Sequence, residues 1–452
     1  VLSFTDGSSG ADTATSGSVS APGPIGLSPL TPGEELSAML VHELSQIPSI
    51  VVPPFRPVVA STPSEYRQIG EIMEVDALLN GHIRSETLGS KEFLALDVRI
   101  VSALDGTQLW GDIIRAEADD NFLQQSEFAS EIASRIGYRL TSTASDEAPP
   151  TPESFHCLVD GKVRCVPDSR EGLQMALMCF NKAHQADIRF ADPLAGIALT
   201  SITLAAQSSP SRSLELIQQA REKAGEALER DSNSIDARLA TAMLDWQTVE
   251  QYALAERKFQ ALLEEAPNNW QIHHQYGLLL LATGRTDEGL DSLRAATLRN
   301  PLSITVKTDL ARAHWFAGDA EKALDQGRRV REKFANHPLA AGLLIDILEQ
   351  QQQYAEAAKG DGGFEATTPE SYFTERKNRL AAIPYGPFGN ELNSAILTTR
   401  TSSSIDDALI ADLADSPMPP MLPLVLARHP SFQSVRELAS AREILDRLKQ
   451  AK

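Results

Sequence analysis

The sequence predicts an α/β amino-terminal domain of order βαβαβββα followed by an all-α solenoid of stacked helix pairs. Three observations carry this expectation. Leu94, Leu96, Val98 and Ile100 alternate with Ala95, Asp97 and Arg99, the period-two pattern of a sheet half facing solvent. Two further strand-like runs, 77–84 and 107–116, flank it across short turns, the second marked by Asp105-Gly106. From about Asp236 to Lys359 a small residue recurs at 34-residue intervals, at Ala255, Gly289, Ala323 and Ala357; Gly284 and Gly318 keep the same interval, as do Pro267 and Pro301.

A 34-residue period of this kind marks a tetratricopeptide (TPR) array, in which each unit is a pair of antiparallel helices. The small residue early in the second helix lets it approach the first closely. The glycine five residues earlier suits the turn, because it takes positive φ without a Cβ clash. The proline closing a unit stops the second helix, since it lacks an N–H and clashes with the preceding turn. One pair alone leaves an apolar face exposed, so at least about three must stack. A fourth unit departs from the pattern. Gln352 stands where the glycine belongs, and Pro338 lies 37 residues beyond Pro301, which predicts a short insertion or an atypical terminal unit.

Ahead of the array the elements follow in order. Residues 1–4 read as a buried strand, and 5–29, rich in Gly, Ser, Thr, Ala and Pro, as a flexible loop. Thr31-Pro32-Gly33-Glu34-Glu35 opens a helix, with proline in its first turn and acids at its positive end. Leu36, Leu40, Val41 and Leu44 give that helix an apolar face. Residues 50–52 read as a second buried strand ended by Pro53-Pro54, and 64–74 as a helix with Tyr66, Ile69, Ile72 and Met73 inward. After the three strands, a helix over 120–140 completes a layered domain spanning residues 1–141.

The runs VDALLNGHIR at 75–84 and DGTQLWGD at 105–112, with GEELSAMLVHELSQIPSIVV at 33–52 and FLQQSEFASEIASRI at 122–136, resemble the TolB amino-terminal-like (FlgO-like) α/β domain. In that family a TPR array typically follows, the order met here, and the resemblance covers about residues 1–360. It implies a bacterial chain. Such pairs form the carboxy-terminal halves of bacterial serine/threonine kinases, class III adenylate cyclases and winged-helix transcriptional regulators. The closing run LPLVLARHPSFQSV at 422–435 is similar to segments of the same proteins. The loop at 5–29 departs from the family, being longer and richer in Gly and Ser than its usual acidic segment.

Residues 142–152, with DEAPPTP, read as a linker, and helical pairs resume at Glu153. The run 172–193 reads as the second helix of an early repeat, packing through Ala176, Phe180 and Ala183. Residues 193–207 and 211–230 form another pair, so five or six pairs span 153–359. The stretch 360–452 is irregular and proline-rich, and ends in a helix at 431–449 whose Val435, Leu438, Ile444 and Leu448 would cap the open end of the solenoid.

Composition narrows the chemistry. A net charge of −20 argues against a nucleic-acid partner, whose phosphates demand clustered Lys and Arg. Three cysteines are too few for a disulfide scaffold, and Cys157 and Cys165 have no second pair for a zinc site. No apolar run reaches the ~18–20 residues of a membrane span. No signal peptide is visible, and an opening on Val1 rather than Met reads as a piece of a larger protein. The kinase glycine-rich loop, strand lysine and H-R-D loop are missing, as are the P-loop, H-E-x-x-H and G-x-S-x-G patterns. DGSSGAD at 6–12 lacks the basic residue and helix start of a phosphate cradle. His273-His274, about 100° apart on a helix, make a poor chelate. No cofactor, metal or catalytic residue is expected.

What remains is a binding surface. In TPR arrays the first helix of each pair lines the concave face. With Trp270 and Ile304 as starts of two such helices, positions two, five, nine and twelve are Gln271, His274, Leu278 and Leu281, then Thr305, Thr308, Arg312 and Trp315. Of these, Gln271, His274, Thr305, Thr308, Arg312 and Trp315 are the candidate partner-binding residues. Arg312 suits a partner carboxylate, and Trp315 an apolar or cationic side chain. The lysine–asparagine pattern of the chaperone-binding TPR clamp is absent, with His274 and Leu278 in its place. The sequence points to a non-catalytic regulatory or sensory interaction module, with a protein or peptide partner in the groove.

Overall fold

The strand-forming runs pair into one four-stranded sheet. β1 (Thr5–Asp6) lies parallel to β2 (Ala77–Leu88), and β2, β3 (Lys91–Ser102) and β4 (Gln108–Glu117) form an antiparallel meander, in the order β1-β2-β3-β4. The structure, a computed structural model, describes residues 2, 4–6, 32–45, 51–55, 58–60, 62–88, 91–117, 151–165, 170–206, 208, 210–246, 251–301, 303–333, 338–360, 371–373, 375, 436 and 438–450. The β3–β4 turn is set by its own residues. Gly106 takes φ +73°, and the Asp105 carboxylate accepts from the Thr107 N–H at 3.0 Å and hydroxyl at 2.8 Å. Ile100 pairs with Trp110 but Val101 with Gln108, so Leu109 bulges out and lies exposed.

Two helices pack with this sheet. α1 (Pro32–Ser45) buries Leu36, Met39, Leu40 and Leu44. Its Ser37 hydroxyl donates to the Gly33 carbonyl at 2.7 Å and accepts from the Phe4 N–H at 2.9 Å. α2 (Pro63–Met73) opens with a capping box between Thr62 and Glu65 and lays Tyr66 and Ile69 in a cluster with Leu78, Val101 and Ala103. That packing alters the expected wet face of β3. Leu96 and Val98 are buried as alternation requires and Arg99 is exposed, but Ala95 and Val101, on the arginine's side, are buried too. α2 lies across the Val101 end of that face and takes it out of water whatever the alternation says.

Residues 50–52 bring a second correction. Val51 and Val52 are irregular, Val51 is exposed, and Phe55 takes the buried position. Pro53 and Pro54 supply the reason, because neither has an N–H to give a ladder. Ile50 lies outside the described residues. The strand expected at 1–4 shifts forward: Leu2 donates to the Leu79 carbonyl at 2.8 Å, but the paired residues are Thr5 and Asp6, inside the stretch read as loop. The rest of that loop and the helix expected over 120–140 lie outside the described residues.

Beyond residue 151 the described chain is helical, in six pairs joined by short connections. These are α3 (Pro152–Cys165) with α4 (Arg170–Ala186), α5 (Asp192–Ala205) with α6 (Pro210–Arg230), and α7 (Ile235–Asp245) with α8 (Tyr252–Glu265). There follow α9 (Trp270–Ala282) with α10 (Thr286–Arg299), α11 (Ile304–Phe316) with α12 (Ala320–Lys333), and α13 (Pro338–Gln350) with α14 (Tyr354–Gly360). First helices start at Trp270, Ile304 and Pro338, and second helices at Tyr252, Thr286, Ala320 and Tyr354, always 34 residues apart. Pro338 therefore marks no insertion. It is the first residue of α13, where a missing N–H costs nothing.

The recurring small residues sit where two helices meet: Ala255, Ala323 and Ala357 are fully buried, and Gly289 is buried. The recurring turns share one hydrogen-bond pattern. The N–H groups of Arg285, Asp319 and Gln353 reach the carbonyls of Leu280, His314 and Leu348 at 2.9, 2.9 and 2.8 Å. The preceding residues, Gly284, Gly318 and Gln352, take φ of 82°, 84° and 59°. This is the Schellman motif three times over. Gln352 adopts the glycine conformation instead of abandoning it.

The ends of the array differ from expectation. Tyr372 and Phe373 are buried with Leu344, Leu348 and Ala357, and the Tyr372 hydroxyl donates to Glu349 at 2.7 Å, so these two aromatics cover the last pair. The final helix, α15, runs over Ala439–Gln450, and residues 431–435 lie outside the described set. Its Ala441 is fully buried in the apolar cluster that runs from α5 to α11, with Leu438 and Leu445 packed against that cluster. Sheet and array also touch: α1 lies against α3, and Lys307 Nζ on α11 is 2.9 Å from Glu74 Oε1 at the end of α2.

Candidate partner-binding groove

Three consecutive first helices, α7, α9 and α11, build the candidate surface. Each begins at a side-chain cap. Ser234 accepts from the Ala237 N–H at 3.3 Å, Asn269 from Gln271 and Ile272 at 3.0 and 3.3 Å, and Ser303 from Val306 at 3.2 Å. With their starts held in register, equivalent positions on neighbouring helices line up. The fifth and ninth positions of α7 are Leu239 and Met243, Trp246 follows as its C-cap, and the ninth and twelfth of α9 are Leu278 and Leu281. All five are buried in one cluster.

The polar part of the surface is a buried triad between α9 and α11. Asp309 Oδ2 lies 2.7 Å from His274 Nε2, and Arg312 Nη1 donates to Asp309 Oδ1 at 2.6 Å. His274 Nδ1 accepts from Gln275 at 3.4 Å, which leaves Nε2 as the protonated nitrogen that donates to Asp309. Trp270 stacks on the imidazole, centroids 6.4 Å apart. Burial by itself would raise the Asp309 carboxyl, but the Arg312 charge and the His274 hydrogen bond outweigh it and hold the group below the ordinary carboxylate range. The triad is a neutralised, hydrogen-bonded pin between two repeats. It offers geometry for positioning, with no nucleophile or proton donor aimed at an open site.

The six sequence-predicted residues fall in distinct places. His274 and Arg312 meet through Asp309, all three 6% exposed. Thr308 is buried and its hydroxyl has no hydrogen-bond partner. Gln271 and Thr305, near the helix starts, are half-buried, and Trp315 is half-buried against two apolar clusters. Sequence reasoning missed Asp309, Met243 and Trp246. A signal for Asp309 was present: it stands one turn from Arg312 and one repeat plus one residue after His274.

Several other polar groups are held within the array. Lys162 on α3 bonds Asp236 on α7 at 3.2 Å. A cleft of about 480 Å³ between α6, α7 and α8 is lined by Arg238, Arg257 and Lys258, but Glu265 holds Arg238 and Asp245 holds Lys258. The Cys179 thiol is pushed up to about 12 by burial and by its contact with Asp160, so it is no nucleophile. His273, read as one half of a poor chelate, is spent on the Pro267 carbonyl at 2.8 Å. Among the described residues no group of three His, Cys, Asp or Glu is placed to hold a metal ion.

No protein-family model matches the chain, and no curated protein matches it. Solved structures similar to it include YrrB, described as a TPR protein with an unusual peptide-binding site, at 19% identity over 45% of this chain and 92% of that one, TM-score 0.28. A thermophilic TPR protein of Thermus thermophilus aligns at 17% identity over 46% and 99%, TM-score 0.34. PilW, a type IV pilus biogenesis factor, aligns at 14% identity over 49% and 98%, TM-score 0.36. Superpositions at that level carry no argument. The TPR architecture rests on this chain's own 34-residue spacing, its repeated Schellman turns and its buried small residues.

Proposed function

We propose that this chain is a non-catalytic protein-interaction module, a scaffold or regulatory part of a bacterial signalling protein that holds a protein or peptide partner against the first helices of its array. One observation carries the reading. α7, α9 and α11 join an apolar wall, Leu239 to Leu281, to the pinned His274–Asp309–Arg312 triad. An apolar surface with a fixed polar point is what a groove for an amphipathic segment requires. Among the described residues no helix is long and apolar enough to cross a membrane. The resemblance over residues 1–360 favours a second reading, in which this is the carboxy-terminal part of a serine/threonine kinase or adenylate cyclase whose catalytic domain is outside this sequence. A kinase or cyclase motif in the upstream reading frame would support it.

The groove reading is tested by site-specific photo-crosslinking in the native cell. A benzophenone amino acid at Gln271 or Thr305 should capture one discrete partner, and the same group at exposed Arg257 should not. Equal capture from both positions, or none from the groove, would count against it.

A further inference from the structure

The concave positions of α7 and α9 pose a physical question. Met243 and Leu278, the ninth positions, are each only 8% exposed and belong to one apolar cluster, whereas Trp246 lies by Tyr252 of α8 and Leu281 against Gly289 of α10. Ala441 of α15 is fully buried in the same cluster, with Leu438 and Leu445 packed on it. Those three residues are spaced i, i+3 and i+7, one stripe of a helix. The other side of α15, at Ala439, Arg442, Glu443 and Asp446, is exposed. α15 thus has the form of an amphipathic helix laid on an apolar wall, with the small Ala441 between the two leucines of its stripe.

We propose that α15 occupies the groove as an intramolecular ligand, and that the external partner is an amphipathic helix carrying the same large–small–large stripe, which binds by displacing it. The proposal rests on the groove reading above and adds to it the chemistry of the partner and the means of control. Being on the same chain, α15 has a high effective concentration at the groove. Its own contact is small, one buried alanine flanked by two half-buried leucines. A partner that buries two large side chains completely gains more apolar area and wins the exchange. The array is accordingly closed by default and opened by a competitor, and the wild-type groove binds any free helix more weakly than its surface alone would allow.

The test uses the full chain and a fluorescent peptide of residues 436–452. Ala441→Asp places a charge in a dry contact and should evict α15. The peptide should then bind this variant at least tenfold more tightly than the wild type, by fluorescence anisotropy. A peptide with aspartate in place of Ala441 should bind neither protein. The double variant Leu438→Ala/Leu445→Ala, which adds no charge, should shift affinity the same way by a smaller factor, and matching melting curves guard against misfolding. Equal binding of the peptide to wild type and Ala441→Asp overturns self-occupancy while leaving a helix-binding groove. No binding to either, by folded proteins, overturns both the proposal and the groove reading.

Discussion

Gly277 on α9 and Gly289 on α10 meet backbone to backbone: a Cβ built on either comes within 3.1 or 3.0 Å of the other's carbonyl oxygen, and within 2.9 Å of a leucine. The periodic small residue is thus one half of a contact whose other half keeps the same interval: Ala311, 34 residues after Gly277, is buried with Ala323. Gly289→Val should cost about 1–3 kcal/mol by overpacking, and Ala323→Trp, at the equivalent buried position one unit on, at least as much. Urea denaturation measures both. An unchanged midpoint in either variant would contradict the alignment of the repeats.

The turn after α13 offers a stabilising change. Gln352 holds a left-handed conformation with φ 59°, where Gly284 and Gly318 hold theirs without a Cβ. Gln352→Gly should therefore raise stability by about 1 kcal/mol, and Gly318→Ala should lower it by a similar amount. Opposite shifts in melting temperature are the expected result; shifts of the same sign would mean that the two turns are not equivalent.

Asp309 lies between Arg312 and His274, so removing it strips both of a buried partner. Asp309→Ala should cost about 3–5 kcal/mol. The carboxyl titrates lower in the folded chain than in the unfolded one. Its contribution is accordingly complete above the unfolded value of about 3.9 and lost as pH falls through the folded value. The stability gap between wild type and Asp309→Asn should stay level from pH 7 to about 4 and shrink below that. A gap that narrows already at pH 6 would assign the triad a different charge state.

His184, His273 and His314 are held neutral by burial, aided by Arg230, Arg299 and Arg294 respectively, which push each imidazole below its ordinary value. As pH falls through about 6.5, the unfolded chain takes up protons before the folded one does, so stability declines from there. Melting temperatures between pH 8 and 5.5 should fall below about pH 6.5, and His273→Gln should flatten the slope. A flat profile in the wild type would rule out neutral buried imidazoles.

The Glu74–Lys307 bridge joins sheet and array, but Glu74 is half-exposed, so it should contribute no more than about 1 kcal/mol. Lys307→Glu should destabilise, and Glu74→Lys should restore part of the loss in the double variant. The coupling should fade in ~1 M salt, where screening reaches about 3 Å. Additive single effects would show that the contact does not form in solution.

Much of the molecule was legible in its sequence, for reasons particular residues make plain. Ala255, Gly284 and Pro301 announce helix pairs because each acts through its own backbone or the adjacent turn. The meander was legible through Asp105-Gly106 and the alternation around Leu96 and Val98. The pair at Val51 and Val52 misled because their apolar character outweighed the two prolines that follow. Pro338 misled because a proline opening a helix and one closing it look alike until the turn beside them is seen.

The groove divides along the same line. By itself the sequence determined the repeat interval and the register of α9 and α11, since these follow from turn conformation and local helix geometry. Only the tertiary structure decided that Asp309 joins His274 to Arg312, that Tyr372 and Phe373 cover the last pair, and that Ala441 is buried in the cluster of Leu278. Burial is a property of what comes to lie opposite a side chain. In this chain the residues that lie opposite come from a neighbouring repeat, from the stretch that follows the last pair, or from more than a hundred positions away, where no local pattern can reach.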